Sequence, residues 1–200
     1  MSIIIGLTGP TGSGKSSACS VALKYGFKFV DCDILARKAV EKGTDGLSSV
    51  VKVFGDEILN YDGTLNRKAL AKVAFSTKQK TELLNRTLLP HITLLVKKEI
   101  NAKRVILDAP TLYESGIDSI CDAVIAVLAD KNIRLKRIIK RDGIDEQSAM
   151  LRINAGKTDE YYKSKTRHII YNNDDENDFK ARFEVIINKI LKENYCERKD

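Results

Sequence analysis

A chain of 200 residues with 43% hydrophobic content is long enough for one sizeable core with room for a helical insertion, and too short for a tandem of two full domains. Its 34 Lys and Arg against 27 Asp and Glu leave a formal charge of +7, which fits either a nucleic-acid surface or an enzyme of polyanionic substrates and does not choose between them. The apolar runs are too short for a membrane span, and the opening MSIIIGLTG lacks the basic flank of a secretory signal, so a cytoplasmic protein is expected.

Ile3-Ile4-Ile5, running into Gly6-Leu7-Thr8-Gly9, predicts a strand buried on both faces, the mark of a parallel sheet. Lys15 to Tyr25 holds no Pro or Gly and stops before Gly26, as a helix after that strand would. Further strands are expected at Phe27 to Val30, Arg104 to Leu107, Ala123 to Leu128 and His168 to Ile170, which makes five strands in a βαβ series. From Asp45 to Lys98 no strand is legible, only helical pieces marked by caps at Asn66 and Thr77 and by Pro90. Asn172 to Asp178 reads as a polar surface loop opening a last helix, whose Phe179, Phe183, Ile186, Ile187, Ile190 and Leu191 share one face. Cys19, Cys32, Cys121 and Cys196 are widely spaced with no Cys-x-x-Cys pair, so reduced thiols are expected, with neither a zinc site nor a redox dithiol.

Gly9-Pro10-Thr11-Gly12-Ser13-Gly14-Lys15-Ser16 matches G-x-x-x-x-G-K-[ST] between a buried strand and a helix, the context a phosphate loop requires. A random chain of this length would match roughly once in a hundred, before that context is imposed. The glycines let backbone N–H groups wrap around phosphates while the helix aims its positive end at the same anion. Gly9, Thr11, Gly12, Ser13, Gly14, Lys15, Ser16 and Ser17 are thus the expected ATP-binding set, with Lys15 on the β- and γ-phosphates and Ser16 on Mg²⁺. GTPases, ATPases and transporters share the loop, so it does not by itself say kinase.

Asp31-Cys32-Asp33 closes the second strand at the carboxyl edge where ligands collect. Asp33 is the candidate base for an acceptor hydroxyl, favoured over the compatible alternative that it simply caps the helix Ile34 to Val40. Asp108, ending the strand Val105-Ile106-Leu107, suits either magnesium waters or loop amides. Arg134, Arg137, Arg141 and Arg152 flank a break at Asp142-Gly143, as in a hinged flap that brings cations over transferring phosphates, though such a run is more commonly a solvated basic face. Arg37 and Arg67 are further candidates for substrate phosphates or plain surface charges, and His91 and His168 show no ligand spacing.

Taken together these segments resemble the dephospho-coenzyme A kinase family over nearly the whole chain. The likeness is carried by Ile5-Gly6-Leu7-Thr8-Gly9 with Ser13-Gly14-Lys15-Ser16, by Asp31-Cys32-Asp33 with Ala36-Arg37, and by Asp62-Gly63-Thr64-Leu65-Asn66-Arg67. Leu107-Asp108-Ala109-Pro110-Thr111-Leu112-Tyr113-Glu114, Arg137, Arg141-Asp142-Gly143, Arg152-Ile153 and Asn172 extend it. The resemblance implies an α/β phosphate-loop fold: a parallel five-stranded sheet with flanking helices, an inserted helical substrate region and a lid. Within one domain the core would be 1–44, 99–136 and 165–200, the acceptor-binding region 45–98 and the lid 137–164. It implies ATP and dephospho-coenzyme A as partners, with Mg²⁺, and transfer to the ribose 3′-hydroxyl. Asp33 would be the base, Lys15 would hold the γ-phosphate and Arg141 would reach the transferring group, while Arg37, Arg67, Asp108 and Glu114 would lie on the substrate side.

A nucleoside monophosphate or sugar kinase would share loop and lid but not the Asp31 to Arg37 and Asp62 to Arg67 segments. A phosphate-loop switch or nucleic-acid NTPase would account for the +7, yet the chain shows no N-K-x-D element and no aromatic-interleaved basic stripe.

Overall fold

The computed structural model describes residues 3–99 and 103–196. Five strands form one parallel sheet in the order β2-β3-β1-β4-β5: β1 (Ile3–Thr8), β2 (Lys28–Asp31), β3 (Arg104–Asp108), β4 (Ala123–Leu128) and β5 (His168–Tyr171). β1 is central because a strand hydrogen-bonded on both edges and covered on both faces must be apolar throughout, and Ile5 and Leu7 are fully buried. The chain crosses from β3 to β4 over β1, so the carboxyl end of β1 is a switch point where a crevice opens. The register sets Leu7 beside Asp108 and Thr8 beside Ala126, which brings the loop after β1 to the same edge as Asp108.

The chain divides into two compact units. The first comprises Met1–Phe29, Ala102–Pro110 and Cys121–Asp200. In it α1 (Ser16–Lys24) and α10 (Glu176–Cys196) pack together, and Val21, Phe179, Phe183, Ile187 and Ile190 join Ile5, Leu7 and Ile125 in one core. The Phe179 and Phe183 rings stack with centroids 6.0 Å apart. α7 (Lys131–Asp142) and α8 (Glu146–Asn154) form a hairpin about Gly143, in the left-handed conformation, with their own small cluster of Leu135, Ile138, Ala149 and Ile153. The short α9 (Asp159–Lys163) leads into β5.

The second unit, Val30–Asn101 with Thr111–Ile120, is helical. α3 (Asp45–Phe54), α4 (Arg67–Ala74) and the 22-residue α5 (Lys78–Glu99) surround Val50, Ile58, Leu70 and Leu84. Asn66 caps α4 through the Ala69 N–H, and Thr77 accepts from the Lys80 N–H as α5 begins, as their side chains led one to expect. Pro90 does not end a helix: α5 runs through it, because Leu84, Ile92 and Val96 hold both halves on one buried face while Pro90 itself is exposed. α2 (Cys32–Ala39), counted with the core on sequence, packs against α5 and belongs to this unit. α6 (Leu112–Ser115) completes it.

Cys19, Cys32 and Cys121 are in the thiol form, outside any disulfide, and the Cys196 side chain lies outside the described residues. No described helix is long and apolar enough to cross a membrane. Truncating Phe183, which has no exposed surface, is expected to cost about 3–5 kcal/mol, read as a lower denaturant midpoint with an unchanged slope.

Candidate nucleotide site and acceptor residues

The segment Gly9 to Lys15 turns between β1 and α1, and three side chains from outside fix its carbonyls. Arg134 of α7 donates from Nε to Thr11 O at 2.9 Å. Arg137, one turn from it, donates to Ser13 O at 3.3 Å. Asn172, just past β5, donates from Nδ2 to Ser13 O at 3.0 Å and to Gly14 O at 3.4 Å. A trans peptide points its C=O and N–H in opposite directions, so drawing these three oxygens outward turns the N–H groups of Gly12, Gly14 and Lys15 inward. A run of converging amides at the start of a helix is an anion cradle.

Glycine is required where these clamps bear on the chain. Gly12 has φ +79° and a Cβ there would approach Arg134 O to 2.9 Å; Gly14 has φ +82° and a Cβ there would collide with the Asn172 amide. Lys15 Nζ donates to Gly9 O at 3.1 Å, folding its charge over the loop. Ser13 is buried, with its hydroxyl oxygen sealed beneath the turn.

The loop opens on a cavity of about 600 Å³ lined by Thr11 to Ser17 and by Asp108, Pro110, Arg137, Arg141, Asn172, Asp174 and Glu176. All of the expected ATP-binding residues except Gly9 therefore face one space, together with Asp108 and Arg141. Arg141 is exposed and pairs with Asp142 through Nε at 2.7 Å and Nη2 at 2.9 Å, while Arg152 reaches the same carboxylate at 2.5 Å across the α7–α8 hairpin. The hydrogen bond from Arg141, aided by both positive charges, holds the Asp142 carboxyl below its ordinary range. Cys19 stands near Asp108: burial first and that negative charge second push its thiol from the ordinary 9.0 up to about 11, so it stays protonated and is no nucleophile at neutral pH.

The acceptor candidates lie in the helical unit. Asp31, and not Asp33, caps α2, accepting from the N–H groups of Asp33 at 2.8 Å and Ile34 at 3.1 Å. The helix begins two residues earlier than the capping alternative for Asp33 requires, which leaves the Asp33 side chain exposed in the first turn. Arg37 follows one turn later on the same side of α2. Arg37 and Arg67 both line a second cavity, about 260 Å³, walled by Val40, Leu65, Leu70, Phe75, Leu84 and Leu88. Glu114 is half-buried on α6, and its backbone oxygen accepts from Asn85 of α5 at 2.5 Å.

Two residues depart from the expectations of the sequence. Asn172, at the start of the polar run read as a surface loop, is 4% exposed and holds the phosphate loop. Arg134, grouped with mobile flap cations, is 5% exposed and fixed to Thr11. Each acts on residues more than a hundred positions away, which no local pattern records.

Fold and site together are those of a phosphate-loop kinase. The family model described as dephospho-CoA kinase matches residues 3–178. A Listeria innocua dephospho-CoA kinase is 39% identical over 176 residues, covering 85% of this chain and 88% of that one. Among solved structures, a Thermus thermophilus protein superposes with TM-score 0.75 at 26% identity, covering 94% of this chain and 97% of its own, and a Campylobacter jejuni dephospho-CoA kinase with TM-score 0.61 at 25% identity, covering 97% and 100%. The chain belongs to the dephospho-CoA kinase family.

Asn172→Ala leaves Ser13 O with Arg137 alone and Gly14 O with the Ser17 N–H alone. It is expected to lower stability by about 1–3 kcal/mol and to weaken ATP binding about tenfold, read by thermal unfolding and titration calorimetry.

Proposed function

We propose that this protein transfers the γ-phosphoryl group of ATP to the ribose 3′-hydroxyl of dephospho-coenzyme A, giving coenzyme A and ADP, in the cytoplasm. The observation that carries the reading is the inward-facing amide run at Gly12, Gly14 and Lys15, walled by Lys15, Arg137 and Arg141, in a chain of this family.

In this reading the amides and Lys15 grip the β- and γ-phosphates and hold the γ-phosphorus in line for attack. Asp33 takes the proton of the 3′-hydroxyl as its oxygen bonds to phosphorus, and the bond from phosphorus to the β-phosphate bridging oxygen breaks, leaving ADP. Charge spreads over the transferring oxygens, and Arg141, exposed and paired with a neighbouring carboxylate, can exchange Asp142 for them. Residues 45–98 serve as the acceptor-binding region and 137–164 as the lid, with Arg37, Arg67 and Glu114 on the acceptor side. The Ser16 hydroxyl and the half-buried Asp108 carboxylate put hard oxygen donors on one cavity wall, which fits Mg²⁺, an ion that takes few protein ligands beside substrate phosphates and neutralises their charge. The protonated Cys19 is consistent with direct transfer and no covalent enzyme intermediate.

Incubation with Mg-ATP and dephospho-coenzyme A, with AMP, CMP and shikimate in parallel, and mass spectrometry of the products tests the reaction. Phosphorylation of dephospho-coenzyme A alone is expected; ATP hydrolysis with no phosphorylated acceptor would overturn the assignment. Asp33→Asn is expected to lower kcat about 10²- to 10⁴-fold with ATP affinity nearly unchanged, and full turnover in that variant would remove Asp33 as the base.

A further inference from the structure

Arg134 carries a buried charge that no ion pair among the described residues balances. Its side chain is 5% exposed, Nε is spent on Thr11 O, and Nη2 is sealed from solvent without a hydrogen-bond partner. Among the described residues no carboxylate pairs with it; Asp159 acts on it only through space, and the Asp159 carboxylate itself accepts from the Tyr171 hydroxyl at 3.4 Å. A guanidinium cannot shed its proton to escape burial, so the cost falls on the fold.

Holding a loop carbonyl does not need that charge. Asn172 does the same for Ser13 O with a neutral amide, from a position 4% exposed. The guanidinium also lies against the cradle, with Nε 2.9 Å from Thr11 O, and the same loop lines the nucleotide cavity. Arg137 and Arg141 line that cavity and can touch a ligand; Arg134 does not line it.

We infer that Arg134 is a positioning residue whose buried charge is balanced by the nucleotide's phosphates across the loop, raising nucleotide affinity without contact and lowering the stability of the ligand-free fold. This rests on the phosphate-loop reading above. A fixed cation in a water-poor setting interacts more strongly than an exposed one, and pays no ordering entropy when the ligand arrives.

The test compares wild type with Arg134→Gln, which keeps an amide donor for Thr11 O and removes the charge, and Arg134→Lys, which keeps the charge. Thermal unfolding without nucleotide and ATP titration calorimetry are measured on all three. The expected result is that Arg134→Gln unfolds at the wild-type temperature or above it yet binds ATP about tenfold or more weakly, and that Arg134→Lys stays within about threefold of wild type. Three outcomes overturn the inference: Arg134→Gln unfolds earlier or fails to fold, it binds ATP as wild type does, or Arg134→Lys loses as much affinity as Arg134→Gln. Wild-type protein that binds no ATP would overturn the nucleotide reading itself, and this inference with it.

Discussion

The structure turns on where four carbonyl oxygens point. Seven residues between β1 and α1 must present N–H groups to a polyanion, and an irregular backbone does so only if its oxygens are satisfied on the other side. Thr11 O, Ser13 O and Gly14 O are drawn outward by Arg134, Arg137 and Asn172, and Gly9 O takes Lys15 Nζ. The donors come from α7 and from the end of β5, so the sheet order, which sets β4 beside β1 and β5 beside β4, is what brings them to the loop. The hydrophobic core under α1 and α10 serves the same end by fixing the strands from which those donors project.

The cations of this site divide by mobility. Arg141 is exposed and shares Asp142 with Arg152, an arrangement of small net worth in water that can be exchanged for a phosphate at little cost. Lys15 is folded on its own loop and has the reach of a flexible stem. Arg134 is immobile. A phosphoryl-transfer site needs both kinds: fixed charge to bind the nucleotide without reorganisation, and movable charge to follow the γ-phosphoryl as its bonds change.

The sheet was legible because strands buried on both faces read as unbroken apolar runs, and Ile3-Ile4-Ile5, Val105-Ile106-Leu107 and Ala123 to Leu128 do so. The phosphate loop was legible because its chemistry demands glycine, lysine and a hydroxyl at fixed spacing over eight residues. What the sequence hid are functions set by tertiary placement. Asn172 stands in a polar run that any surface loop could carry, and only the end of β5 lying near the loop makes it a clamp. The division of labour between Asp31 and Asp33 depends on which residue starts α2, a matter of two positions that propensity does not resolve. Pro90 misleads for a similar reason, since packing on both sides of it outweighs one missing donor. Arg37 and Arg67, ordinary surface charges when taken singly, acquire meaning only through the apolar cavity they share.

The most direct measurement is a two-dimensional amide NMR titration of the ¹⁵N-labelled protein with Mg-ATP. If the backbone is held as described, the amide resonances of Gly12, Gly14 and Lys15 move downfield together along one saturation curve, since each N–H meets a phosphate oxygen. Shifts confined to residues outside the loop, with those three amides unmoved at saturation, would contradict it.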